Sequence, residues 1–283
     1  RFGFKPAEID AVILSHAHID HSGLLPKLVS EGFRGPIYCT RATADLLQVM
    51  LNDAAGLYER DLERENLRRS RRGAPELQPA YTRADVERVF KQCSPQRYRQ
   101  PFAIGEAGSV TFHDAGHILG SAIVELTLQE QGREKRLVFS GDLGKKDSVL
   151  LFDPEVLTRA DVVMMEGTYG DRDHRTLGNT LEQFEQVLSE AWERGGNVMI
   201  PAFAVGRTQE LLFYLGQLHQ QGKLDNWEVF LDSPMAIEVT RLYDRWLSQL
   251  DCEGAKGLCI CDTVGHATPG GARNIITWVR QKV

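Results

Sequence analysis

Ser15-His16-Ala17-His18-Ile19-Asp20-His21-Ser22-Gly23 packs three imidazoles and one carboxylate into six consecutive positions. Directly ahead of it, Ala11-Val12-Ile13-Leu14 is a short apolar run with a β-branched centre. That run predicts a buried strand whose C-terminal end delivers the histidine-rich loop. Imidazole nitrogens suit zinc, and a carboxylate adds the negative charge needed to hold two dications close together. On extended backbone His16 and His18 point the same way, so both can grip one ion. The turn through Asp20 and His21 can then serve a second.

Four ligands are too few for two zinc ions, so further ligands must come from other strand ends. His117 lies between flanking glycines in Asp114-Ala115-Gly116-His117-Ile118-Leu119-Gly120-Ser121-Ala122, and Asp142 follows an apolar run in Phe139-Ser140-Gly141-Asp142-Leu143-Gly144. A carboxylate at Asp142 can bridge two metals with its two oxygens. A lone histidine before a strand is more often a hydrogen-bonded loop residue than a ligand. Several such residues, each following a strand, are much harder to explain that way.

Outward from this constellation, residues 24–29 have helical spacing and 36–39 read as a second short strand. Apolar residues then recur at helical intervals from 41 to about 69. Arg60, Arg64, Arg68 and Arg72 form a stripe along this helix, but Glu59, Asp61, Glu63 and Glu65 are interleaved, which predicts a solvated, self-paired face. Residues 109–114, 122–128, 136–140 and 161–165 read as strands. Beyond them a helix (180–194), a strand (197–201), a helix (208–220) and a strand (227–231) predict a βαβ-like alternation, followed by a helix over about 235–250.

The motifs resemble a known family. His16-Ala17-His18-Ile19-Asp20-His21, Gly116-His117 and Ser140-Gly141-Asp142 are similar to the metal-ligand motifs of the metallo-β-lactamase superfamily, in their usual order. The resemblance implies an α/β, four-layer αββα sandwich with metals at the sheet edges. It also implies one zinc held by His16, His18 and His117, another by Asp20 and His21, and Asp142 bridging them. Asp20 is then a catalytic residue as well as a ligand. Three later segments resemble the β-CASP branch of nucleic-acid-processing members: 166–174 (Glu-Gly-Thr-Tyr-Gly-Asp-Arg-Asp-His), 201–212 (Pro-Ala-Phe-Ala-Val-Gly-Arg-Thr-Gln-Glu-Leu-Leu) and 232–236 (Asp-Ser-Pro-Met-Ala). The branch implies a nuclease with an inserted βαβ-type domain. The corresponding division is 1–176 for the hydrolase domain, 177–254 for a shortened insertion and 255–283 for the return to the hydrolase domain.

In that branch the position of Glu166 is a carboxylate beside the metals that orients a histidine assisting the leaving group; His266 is the candidate for that histidine. A turn cap is the plainer reading of Glu166, and a loop histidine that of His266. His174, Arg207 and Ser233 are candidate substrate contacts. Arg207, at a helix start, can meet phosphate through its guanidinium and nearby backbone N–H groups, or simply pair with Glu210. Against the family pattern, the strands usually found ahead of residue 1 are missing and Gly167 stands where serine is commoner. After about Leu250 the chain passes almost directly to 258–266. The last ligand of the second zinc has no counterpart, so that site is expected to be incomplete in the sequence as it stands.

Composition bounds the rest. Hydrophobic residues make up 42% of the 283 residues and charged residues 25%, the balance of a globular protein. No apolar run approaches the roughly 20 residues of a membrane span. The first residues show no basic, apolar and cleavage-site pattern and Arg1 is not a start methionine, so the expectation is a piece of a longer, cytoplasmic chain without a signal peptide in the residues given. Cys39, Cys93, Cys252, Cys259 and Cys261 form no CxxC pair, which predicts reduced thiols rather than a zinc knuckle or disulfide framework. A net charge of −6 argues against coating nucleic acid by charge alone, but two zinc ions would add positive charge where phosphate sits. The expected function is a zinc-dependent phosphodiesterase acting on RNA, with single-stranded DNA as the alternative substrate and monomer and homodimer both open. A small-molecule hydrolase of the same superfamily and a catalytically silent scaffold subunit are the competing readings. The insertion speaks against the first, and the full set of upstream ligands against the second.

Overall fold

The computed structural model describes residues 2–106, 108–130, 132–171 and 177–248. Strand β1 (Val12–Ile13) leads into the short helix α1 (Ile19–Ser22) and then α2 (Leu25–Ser30). β2 (Ile37–Thr40) runs into α3 (Arg41–Ser70), where the Thr40 hydroxyl accepts from the Thr43 N–H and caps the first turn. α4 (Arg83–Gln92) and β3 (Cys93–Gln96) follow. β1, β2 and β3 form a three-stranded parallel sheet in that order.

The second sheet has the order β4 (Phe102–Ala103), β5 (Gly108–Asp114), β6 (Ala122–Glu130), β7 (Arg133–Phe139) and β8 (Val162–Met164). Its first four strands pair antiparallel and β8 adds parallel to β7. Side-chain alternation explains how the sheets stack. Val110 and Phe112 of β5 and Val124 of β6 pack with Ile13 of β1 and Tyr38 of β2, so this cluster lies between the two sheets. Ile123 and Val138 point to the other face, against Leu143 and Leu157. The other side of the three-stranded sheet is covered by the largest core cluster, where Ile37 and Cys39 meet Leu46, Leu47 and Leu51 of α3. Helices and two sheets therefore form the mixed α/β sandwich expected from the sequence.

Three more helices complete the described residues: α5 (Leu177–Glu193), α6 (Arg207–Gln220) and α7 (Pro234–Ser248). Phe213 and Tyr214 of α6 and Val239, Tyr243 and Trp246 of α7 belong to the same core cluster as α3. Trp246 Nε1 donates to Asp45 Oδ2 at 3.0 Å, tying α7 to α3 directly.

Two expected strands are not formed. Residues 197–201 and 227–231 join no ladder. Both instead line a cavity of about 620 Å³ with Leu188 and Trp192 of α5 and Leu211 and Leu212 of α6. An apolar run becomes a strand only where a neighbouring strand accepts its hydrogen bonds, and these two runs have none among the described residues. The arginine stripe on α3 pairs locally, Arg64 with Asp61 at 3.8 Å and Arg68 with Glu65 at 3.7 Å, as its interleaved acids predict. Helix α4 went unread in the sequence although its start is marked: the Asp85 carboxylate accepts from the Thr82 N–H and hydroxyl at 2.8 and 2.7 Å.

Among the described residues, no helix is long and apolar enough to cross a membrane.

Candidate metal centre

The first loop leaves the end of β1 and is held open by its own backbone. Ser15 O accepts from the Ala122 N–H at 2.8 Å, linking the end of β1 to the start of β6 across the two sheets. The Ser22 hydroxyl donates towards Ala17 O and His18 O at 2.9 and 3.0 Å, fixing the turn that presents Asp20 and His21. His16 is fully buried. Its Nδ1 lies 3.1 Å from Ser15 Oγ, while Nε2 is a buried atom without a hydrogen-bond partner. A buried polar nitrogen in that state normally costs free energy, and a cation is the partner that its lone pair fits.

Two further loops converge on it. Gly116, at φ +61°, turns the chain after β5 so that His117 faces the first loop. The His117 N–H donates to Ser121 Oγ at 3.0 Å, and Asp114 Oδ1 accepts from the Gly116 N–H at 2.8 Å. Asp142 follows β7 and stands beside the His117 loop, where the Gly144 N–H donates to Ala115 O at 2.8 Å. The approach is so close that a Cβ on Gly144 would lie 1.7 Å from Gly116 O.

The result is one shared carboxylate between two ligand sets. His16, His18, His117 and Asp142 bring one ligand atom each within 4.8 Å of one another, and Asp20, His21 and Asp142 do the same. Asp142 Oδ2 lies 3.6 Å from His16 Nε2 and 3.5 Å from His117 Nε2, whereas Oδ1 lies 3.2 Å from His21 Nε2. His18 Nδ1 is 3.1 Å from His117 Nε2, and Asp20 Oδ2 is 3.7 Å from His21 Nε2. Ligand atoms about 2.0–2.1 Å from a tetrahedral zinc stand roughly 3.3–3.4 Å apart, so these spacings fit a divalent ion in each set.

Burial decides the charge state of the imidazoles. It pushes His16 from the ordinary 6.5 down to about 2, with His21, His18 and His117 acting in the same direction. Burial and then His117 lower His18 to about 4, although Asp20 and Asp142 pull the other way. Burial also lowers His117. Neutral imidazole is the form that binds metal, so protons compete poorly here. The same shifts carry a stability prediction. Below pH 6.5 the unfolded chain takes up protons that the folded imidazoles refuse, so the metal-free protein loses stability as pH falls. Asp114, raised by burial to about 6, opposes this, because its neutral form is favoured in the fold. Three imidazoles outweigh one carboxyl, so the urea midpoint of chelator-treated protein should fall between pH 7 and 5. An unchanged or rising midpoint would contradict the predicted charge state.

Glu166 does not join either ligand set. Its Oε1 accepts from the Leu143 N–H at 2.6 Å, one residue beyond Asp142, and its own N–H donates to Ser140 Oγ at 3.1 Å. It thus grips the Asp142 loop from both ends. Arg207 is exposed and pairs with Glu210 at 2.9 Å, and it lines the cleft above the ligands. Ser233 Oγ accepts from the Ala236 N–H at the start of α7 and is not among the residues lining that cleft. His174 and His266 lie outside the described residues. Sequence reading missed Glu155, whose side chain accepts from the Asp114 N–H at 2.9 Å and pairs with Arg99 at 2.8 Å, bracing the His117 loop from behind. Nothing local to residue 155 signals that role.

Comparison with known proteins agrees with this geometry. The family model described as the metallo-beta-lactamase superfamily matches residues 1–189. The chain belongs to the metallo-β-lactamase superfamily. Membership implies divalent-metal binding, and the structure brings His16, His18, His117 and Asp142 together in one cluster. A second model, the Beta-Casp domain, matches residues 208–270. Ribonuclease TTHA0252 of Thermus thermophilus is 42% identical over 245 residues, which cover 86% of this chain and 51% of that protein. Transcription termination factor FttA of Methanocaldococcus jannaschii is 34% identical over 252 residues, covering 87% and 37%. An RNase J-like protein of the same archaeon is 31% identical over 246 residues, covering 86% and 52%. The chain therefore spans about half, or less, of the length of these relatives.

Proposed function

We propose that this chain carries the catalytic centre of a zinc-dependent, dinuclear phosphodiesterase that cleaves RNA. The observation that carries the reading is Asp142, whose two oxygens face two different histidine-containing ligand sets. His16, His18 and His117 would hold one ion, Asp20 and His21 the other, and Asp142 both. When bound, such a pair supplies Lewis acidity, making a water acidic enough to attack phosphorus near neutral pH and offsetting charge on the phosphoryl oxygens. The division near Leu177 assigns the residues before it to the hydrolase domain and 177–254 to the insertion.

The cleft above the ligands favours a nucleic-acid substrate over a small molecule. Its walls combine the cations Lys145 and Arg207 with the aromatic rings of Tyr169 and Phe203, and Phe203 is 84% exposed. Cations that follow a backbone and rings on which bases stack are the two elements of single-strand recognition. The names of the relatives, a ribonuclease and an RNase J-like protein among them, support RNA over DNA. The test is cleavage of labelled single-stranded RNA and DNA oligonucleotides with zinc, with and without chelator. RNA cleavage that chelator abolishes is expected; metal-independent cleavage, or none of RNA, would overturn the reading.

Glu166 has two roles to separate, bracing the Asp142 loop and serving proton transfer through a histidine such as His266. Glutamine keeps an oxygen to accept from the Leu143 N–H but removes the charge. Glu166→Gln should retain zinc and lose about a hundredfold in turnover, the scale of a proton-transfer assistant. Full turnover in that variant, measured beside its zinc content, would reduce Glu166 to a loop brace.

A further inference from the structure

The loop that presents His117 is tied down at several backbone groups, and one tie comes from far away. Ser121 Oγ accepts from the His117 and Ile118 N–H groups, and the hydroxyls of Thr40 and Thr43 donate to Gly120 O at 2.7 and 2.8 Å. The Tyr98 hydroxyl donates to Ser121 O at 2.7 Å. All these partners lie in the part of the chain matched as metallo-β-lactamase. The Leu119 N–H, two residues after His117, instead donates to the hydroxyl of Tyr243 on α7 at 3.1 Å, across 124 positions of sequence. Tyr243 lies in the part matched as Beta-Casp. Leu119 is fully buried and Tyr243 is 1% exposed, so water cannot replace this bond while α7 is in place. Burial holds the phenol well above the usual tyrosine range, which keeps it a neutral hydroxyl.

We infer that Tyr243 is a positioning residue of the metal centre: its hydroxyl, supplied by the insertion, fixes the loop that aims His117. On this account the insertion completes the His16–His18–His117–Asp142 set rather than only covering it. Without the hydroxyl, the Leu119 N–H is buried and unpaired, and the loop must shift to satisfy it. Such a shift moves His117 Nε2 away from His18 and Asp142. The inference rests on the reading that this set holds a divalent ion, since Tyr243 touches no ligand itself.

The experiment compares Tyr243→Phe with Trp246→Phe in the full chain. Trp246 also sits on α7, and its indole N–H is bonded to Asp45 rather than to the metal loop. Zinc affinity is read by competition with a chromogenic chelator, thermal midpoints by circular dichroism, and protection of the Leu119 amide by hydrogen exchange. Tyr243→Phe should weaken the zinc of the His16–His18–His117–Asp142 set about tenfold, the lower end of what residues supporting metal ligands are worth. It should also speed exchange at Leu119. Trp246→Phe should lower the thermal midpoint and leave zinc affinity as in the wild type. Wild-type affinity in Tyr243→Phe, or equal zinc loss in both variants, overturns the inference and leaves the metal centre standing. Wild-type protein that holds no zinc overturns both.

Discussion

Asp142→Ala protein is expected to lose both ions and to cleave RNA at a rate indistinguishable from chelator-treated wild type. The reason is geometric. One oxygen of Asp142 faces His16 and His117 while the other faces His21, so the substitution removes a ligand from each set at once. The set of Asp20, His21 and Asp142 has only three members among the described residues and would be left with two. A metal acting as Lewis acid contributes several kcal/mol to the transition state, so the loss should be about a thousandfold or more. His21→Ala is the informative contrast, since it touches one set and should leave one ion per chain. Elemental analysis of the two variants checks this. Equal zinc in Asp142→Ala and wild type would remove Asp142 from the centre.

The second large effect is predicted at Gly144, which belongs to neither ligand set. An added Cβ would stand 1.7 Å from Gly116 O and 2.8 Å from His117 N, and both neighbours are backbone that cannot swing aside. Gly144→Ala must therefore push the Asp142 loop and the His117 loop apart. Overpacking of this kind costs about 1–3 kcal/mol in stability. The effect on function should be larger, because His117 and Asp142 are separated by the same displacement. The expected result is a folded protein with a lowered thermal midpoint that retains at most one zinc and is nearly inactive. Normal zinc content in Gly144→Ala would mean that the loops adapt independently.

What was legible in the sequence follows the range of the interactions involved. His16, His18, Asp20 and His21 could be read because a strand and the loop after it occupy adjacent positions, and side-chain alternation does the rest. His117 and Asp142 could be singled out because the expectation of two ions asks for more ligands and strand ends are where they can come from; the structure brings both beside the first loop. The hydroxyl of Tyr243 and the carboxylate of Glu155 could not. Their roles depend on partners 124 and 41 positions away, and nothing in their neighbouring residues marks them. The unformed strands at 197–201 and 227–231 show the same limit from the other side. Their β-branched and apolar residues suit a sheet, but pairing belongs to two segments rather than to one. Helix α4 was a different kind of miss, since Thr82 and Asp85 carry a local start signal.

The central claim is that Asp142 stands between two metal ions. Crystals grown with zinc and measured on both sides of the zinc absorption edge test it directly. The account predicts two anomalous peaks, one among His16, His18, His117 and Asp142 and the other among Asp20, His21 and Asp142, with the Asp142 carboxylate between them. A single peak, or two peaks that Asp142 does not join, would contradict it.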